Sequence, residues 1–222
     1  MRAVPVPRAN AEMDCFGIEA AAFAMRDRQS RAFTLIELLV VITIVVVLLG
    51  LLFPAFQGVQ NQAKKTQAKN DLTQIVTAVN AYYTEYGKYP LVAADTVYGP
   101  GGATNDALFN ELRGLASATQ NPRQIVFISP ADVKDATDPR SGIGTTTKTG
   151  QLFDPWGNPY NVAIDGNYDN QITNPYGASG GAGLDPIRQG VIAWSIGKDA
   201  TQGRKSPASS NLSGSDDVIS WQ

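Results

Sequence analysis

The sequence predicts an α+β chain: one long amino-terminal helix whose first half spans a membrane and whose second half packs on a small antiparallel β-sheet with long loops. Three observations predict it. From Phe33 to Phe53 only Thr34, Glu37 and Thr43 are polar. Between Pro54 and Pro90 there is no proline, and Leu72, Ile75, Val76, Val79, Tyr82, Tyr83 and Tyr86 recur at helical three- and four-residue steps. From Lys88 onward the composition turns to Gly, Pro, Asn, Asp, Ser and Thr, broken by short apolar runs that read as strands.

The apolar run covers about 21 residues, or roughly 31 Å as a helix, which matches the hydrocarbon core of a bilayer. A buried core helix of a soluble domain need not be so uniformly apolar. A secretory signal would be shorter, about 7–15 apolar residues, and would end at a small-x-small site; this run ends in LLFPAFQG. Arg26, Arg28 and Arg31 precede the run, with only Asp27 against them. Positive flanks stay cytoplasmic, so the amino terminus is expected inside and the rest of the chain exported. Glu37 lies just inside the start of the run. A carboxylate at mid-bilayer costs about 2.5–3.5 kcal/mol, less near the interface. Either it is a tolerated boundary charge, or it meets a cation supplied by another molecule or by a new amino terminus made just upstream.

Composition narrows the chemistry. The chain has 222 residues, a net charge of −2, no histidine and one cysteine, Cys15. The charge gives no sign of a basic nucleic-acid-binding domain. The commonest general base and transition-metal ligand is missing, and neither an intramolecular disulfide nor a Cys/His pair can form. There is no G-x-S-x-G and no phosphate-binding loop. GPGGATN is glycine-rich but does not sit between a strand and a helix. Catalysis is not expected.

Beyond Pro54, where a proline ring blocks a helical bond and permits a kink, the helix is expected to continue to a stop at Gly87. Lys64, Lys65, Lys69 and Asp71 mark a polar turn. The lysines read as a solvated face, with lipid headgroups or a neighbouring subunit as the alternative. In the head, TNDALFNELRG reads as a short helix with Asn105 as cap, Leu108, Phe109 and Leu112 inward, and Gly114 as stop. QIVFIS reads as a strand, and residues 131–150 as an exposed loop. DPWGNPYNVAI is a turn feeding a strand that ends near Ile164, DGNYDN a turn, and QIT a possible return. GVIAWSI and DVISW are further strands.

The stretch RAFTLIELLVVITIVVVLLGLLFPAF resembles the leader junction and first helix of type IV pilins and type II secretion pseudopilins. YYTEYGKYP, LFDPWGNPY and WSIGKDA…DDVISW follow in the order seen in major pseudopilins. The resemblance implies a prepilin leader 1–32, a transmembrane half 33–53, an amphipathic half 54–87 and a periplasmic head 88–222. It implies cleavage between Ala32 and Phe33 by a prepilin peptidase, although alanine stands where the family usually has glycine. It also implies N-methylation of Phe33, a filament-assembly role for Glu37 toward a neighbour's amine, and a helix kink at Pro54. Met25 would open a compact basic leader, MRDRQSRA, as an alternative start to Met1; with either start, Cys15 is absent from the mature chain.

Two acidic constellations have the hard oxygen donors that suit Ca²⁺. Asp199, Asp216 and Asp217 flank a Gly/Ser-rich loop, and the resemblance implies a calcium site there. Asp165, Asn167 and Asp169 have the spacing of an EF-hand start, but Asn170 stands at the sixth position and Tyr176 at the closing one, so a plain hairpin turn is expected. The function these readings imply is a structural subunit of a filament in the bacterial inner membrane, most simply a pseudopilus driving protein secretion. Its partners would be copies of itself, other pilins or pseudopilins, an inner-membrane assembly platform and membrane lipid. A type IV pilus subunit and a solitary anchored binding protein are the rival readings.

Overall fold

Helix α1, Leu35–Tyr86, contains 52 residues and is helical throughout, Pro54 included. The computed structural model describes residues 33–146, 148–205, 208–209 and 211–222, without the side chains of 52–55, 205 and 208. Ala32, Met25 and Cys15 lie outside the described residues. The chain divides into two compact units on either side of Leu49 and Gly50.

In the first unit the apolar side chains from Phe33 onward are all exposed. Nothing among the described residues covers them. A helix this long and apolar can cross a membrane, and lipid or other apolar helices are the surroundings that such a surface requires.

In the second unit α1 carries the expected stripe. Leu72, Ile75, Val79 and Tyr82 are fully buried, Val76 and Tyr86 partly so. Each complete burial of a large apolar side chain is worth about 1.5–3 kcal/mol. Tyr83 departs from the stripe: it is exposed and stacks on Tyr89 with ring centres 4.6 Å apart. The helix stops where expected, with Gly87 at φ +67 and its N–H donating to the Tyr83 carbonyl at 2.8 Å.

The stripe packs on a four-stranded antiparallel sheet of order β1-β4-β5-β8, with β1 Thr96–Tyr98, β4 Asn161–Ile164, β5 Val191–Ser195 and β8 Val218–Ile219. Val162, Ile164, Val191 and Ala193 face α1, together with Tyr98 and Tyr160. The opposite face, with Ala163, Ile192, Trp194 and Ile219, is covered by Ile172, Tyr176, Ala182 and Ile187. Both central strands are therefore buried on both faces. That is why VIAWS reads as an unbroken apolar run rather than an alternation.

Several local expectations are corrected. Helix α2, Asp106–Leu112, forms with Leu108, Phe109 and Leu112 buried, but Asn105 makes no side-chain cap. Its amide instead donates to the carbonyls of Leu152 and Tyr160 at 3.2 and 2.9 Å and accepts from the Leu152 N–H. QIVFIS is not a strand: Phe127 and Ile128 spend their N–H groups on the single Leu112 carbonyl. Residues 131–150 are not wholly exposed, because β2 (Gly142–Ile143) pairs there with β3 (Leu152–Phe153) and buries Ile143 and Val133. QIT returns only as a bridge between Ile172 and Ile187. Strand β1 and the small β6–β7 pair, Arg204–Lys205 with Ala208–Ser209, were not expected.

Asp154 holds the turn before β4. One carboxylate oxygen accepts the N–H groups of Trp156, Gly157 and Asn158 at 2.8–2.9 Å. The other accepts the Ser195 hydroxyl on β5 at 2.6 Å. Burial pushes its carboxyl above the usual carboxylate range, against the pull of Ser195 and the three amides.

Candidate functional site

The start of α1 shows how Glu37 is tolerated. The Thr34 N–H and hydroxyl donate to one Glu37 carboxylate oxygen at 2.9 and 2.8 Å, and the Glu37 N–H donates to the Thr34 hydroxyl at 3.2 Å. This is a reciprocal capping box, in which T-x-x-E satisfies donors left over at a helix start. Sequence reasoning missed it by seeking a partner for Glu37 only in another molecule or a new amino terminus. The signature was legible as Thr34 followed by Glu37 three residues on. A chain entering lipid needs this most, since an unsatisfied N–H there has no water to turn to.

The polar turn of α1 is not simply a solvated face. Lys69 donates to the carbonyls of Ile219, at 2.7 Å, and Gln222, tying α1 to the last strand. Partial burial lowers its pKa.

At the edge of the sheet the three aspartates meet. Their ligand oxygens lie within 4.8 Å of one another. The register of β5 against β8, Ser195 opposite Val218, carries Asp199 and the Asp216–Asp217 pair to the same end of the sheet. Each carboxylate is positioned by its surroundings. Asp216 accepts the N–H groups of Lys198 and Asp199 at 2.7 and 3.2 Å on one oxygen. Asp217 accepts the Tyr176 hydroxyl at 2.8 Å and the Gly203 N–H at 2.6 Å on one oxygen. Asp199 accepts the Thr201 N–H. The remaining oxygens of Asp216 and Asp217 are shielded from solvent and accept no hydrogen bond among the described residues. Burial raises the Asp217 carboxyl above its ordinary range, and the neighbouring Asp216 adds to the rise.

A hard cation fits this arrangement: two unsatisfied, shielded carboxylate oxygens with a third carboxylate beside them suit Ca²⁺. Gly197 is part of the cradle. Its φ is +67, and a Cβ there would lie 2.7 Å from the Asp216 carboxylate. Gly197 was not singled out in the sequence, and Tyr176 was named there only at the closing position of the other constellation; only the fold brings them to this site.

The second acidic constellation is a turn, as expected. Asp165 accepts the N–H groups of Tyr168 and Asn170, Asn167 that of Asp169, and Asp169 that of Gln171. Its carboxylates are spent on their own loop.

The family pattern described as "Prokaryotic N-terminal methylation motif" matches residues 27–53, across the leader junction and the apolar run. The chain is 28% identical over 161 residues to the type II secretion system core protein G of Aeromonas hydrophila, covering 72% of this chain and 92% of that relative. The chain is thus similar to a type II secretion pseudopilin over most of its length. It is also 39% identical over 66 residues to the core protein G of Pseudomonas aeruginosa, covering 30% of the chain and 46% of the relative. It is 32% identical over 72 residues to the type IV major pilin protein PilA of Myxococcus xanthus, about a third of each chain. No solved structure matches. The long apolar helix and the motif fit a membrane-anchored protein.

Proposed function

We propose that this chain is a structural, non-catalytic subunit of a pseudopilus that drives type II protein secretion. The observation that carries the reading is the amino terminus: a prepilin methylation motif laid over a helix that opens with the Thr34–Glu37 cap and then exposes apolar side chains as far as Leu49, Thr43 apart. A prepilin peptidase cleaves between Ala32 and Phe33 and the new amine is methylated. The mature helix stays in the inner membrane with its start on the cytoplasmic side and the head in the periplasm. Other copies, other pseudopilins and an inner-membrane assembly platform complete the filament. The likeness to a type IV major pilin supports a pilus subunit as the second reading. Asp199, Asp216 and Asp217 would hold Ca²⁺, which when bound neutralises three crowded carboxylates and orders the loop between β5 and β8.

Glu37→Gln tests the filament reading. Glutamine can still close the capping box, so the substitution isolates the charge. In a lone anchor it is neutral or slightly favourable, because an anion near lipid is removed. In a filament it strands the amine of a neighbouring Phe33. The expected result is normal insertion and cleavage, with sedimentable filaments reduced more than tenfold. Assembly at the wild-type level would refute charge pairing and favour the solitary anchor.

A further inference from the structure

A cavity of about 230 Å³ opens beside α1, lined by Gln67, Asp71 and Gln74 of the helix and by Ser129 and Ser141 of the facing loops. That is smaller than the pockets that take drug-sized ligands, and suits a group of side-chain size. Among the described residues Asp71 is the only charged one in its lining.

Among the described residues no cation pairs with this carboxylate. Its helical neighbours at three and four residues are Gln67, Ala68, Gln74 and Ile75, so α1 itself supplies none. Lys69 is committed to the carbonyls of Ile219 and Gln222. The ion pairs among the described residues, Arg123 with Glu85 and Arg140 with Asp138, do not include Asp71. One Asp71 oxygen accepts the hydroxyl of the fully buried Tyr160 at 2.9 Å. Burial drives the Tyr160 pKa far up, so this hydroxyl remains a donor. Burial also raises the Asp71 carboxyl above its ordinary range, the direction expected of an anion short of positive charge.

We propose that the Asp71 cavity is a binding site for a single primary ammonium group. An ammonium suits it better than a guanidinium. A guanidinium fork seeks both carboxylate oxygens at once, and one is already engaged by Tyr160. An ammonium is a compact point charge with three donors. Here it meets the second Asp71 oxygen and the amide and hydroxyl oxygens of Gln67, Gln74, Ser129 and Ser141. A divalent metal is poorly served, since a lone carboxylate falls short of six to eight hard oxygens. The ammonium can come from a lysine of a second copy or from a free amine. The first source rests on the filament reading above; the second does not.

The experiment uses the full chain and has two arms. In assembled material mixed from normal and heavy-isotope copies, zero-length carbodiimide coupling is expected to join Asp71 to a lysine of a different copy, identified by mass spectrometry. In detergent-solubilised chain, n-butylamine hydrochloride is titrated at constant ionic strength. Saturable NMR shifts of the Gln67 and Gln74 side-chain amides are expected, and their loss in Asp71→Asn. Asparagine still accepts the Tyr160 hydroxyl, so this variant should melt within about 2 °C of wild type; a fall of more than about 5 °C would mean that Asp71 is only an internal acceptor and overturn the proposal. Inter-copy coupling identifies a lysine as the ligand, and saturation by butylamine alone identifies a free amine. Neither coupling at Asp71 nor saturable shifts would overturn the site. Failure of the wild type to assemble, with butylamine still saturating, would bring down the filament reading and leave the cavity's assignment standing.

Discussion

If Asp199, Asp216 and Asp217 hold Ca²⁺ as proposed, removing the ion loosens the end of the sheet where β5 and β8 meet. Three carboxylate oxygens lie within 4.8 Å of one another there. At that separation each like-charge pair repels by about 0.9 kcal/mol in water and about 3.5 kcal/mol at an effective dielectric of 20. The three residues are half-buried, Asp217 the most deeply, so the repulsion of each pair lies between these limits. A bound divalent ion reverses the sign of these terms. With free Ca²⁺ at a hundred times the dissociation constant, the folded state gains about 2.7 kcal/mol. For a chain of this size about 1 kcal/mol moves the melting temperature by roughly 2–4 °C. The expected difference between chelator and millimolar Ca²⁺ is therefore roughly 5–11 °C, read by thermal unfolding of the full chain in detergent. Mg²⁺ should give a smaller gain, because it demands a tighter octahedral cage. Asp217→Asn should abolish the difference while keeping the acceptor for Tyr176 and Gly203. A melting temperature that is the same within 1 °C with and without Ca²⁺ would refute the reasoning.

Other outcomes follow from the same structure. Mass spectrometry of protein from the native host should find a mature chain beginning at Phe33 with a methylated amine; an intact leader would sink the prepilin reading. Leu72→Ala, at a fully buried position, should cost about 2–5 kcal/mol by denaturant unfolding, whereas Thr73→Ala on the exposed side should cost less than about 0.5 kcal/mol; equal effects would contradict the packing of α1 on the sheet. Asp154→Ala leaves three amides and the Ser195 hydroxyl without their acceptor, at about 1–3 kcal/mol for each group left buried and unsatisfied, so the head should fail to unfold cooperatively at 37 °C. Because burial raises the Asp154 carboxyl, the folded state binds the extra proton. Its contribution to stability therefore grows as pH falls through the raised value toward about 3.9, and is lost as pH rises. Asp154→Asn should flatten that segment of the stability–pH curve, and an unchanged slope would assign it to another group.

The sequence by itself determined the elements whose signal is local and repeated. The apolar run from Phe33 and the stripe Leu72–Ile75–Val79–Tyr82 each carry one physical pattern over many residues, so they were legible without a fold. Gly87 and Gly114 stop their helices at positive φ, which glycine adopts without strain. The Thr34–Glu37 cap was equally local and could have been read. What the tertiary structure decided is what depends on pairing across long separations. QIVFIS has strand composition, but its amides turn to Leu112. β1, three residues long, exists because Thr96–Tyr98 finds the free edge of β4. Asn105 was placed as a cap by its position, and was taken instead by the carbonyls of Leu152 and Tyr160. Asp199, Asp216 and Asp217 were visible as acids, but their meeting depends on the register of β5 against β8, and a slip of one residue would turn every side chain of β8 to the other face. Asp71 shows the division within one residue. Its want of a cation along the helix is written in the sequence, while the cavity and the Tyr160 hydroxyl exist only because α1 packs against that part of the head.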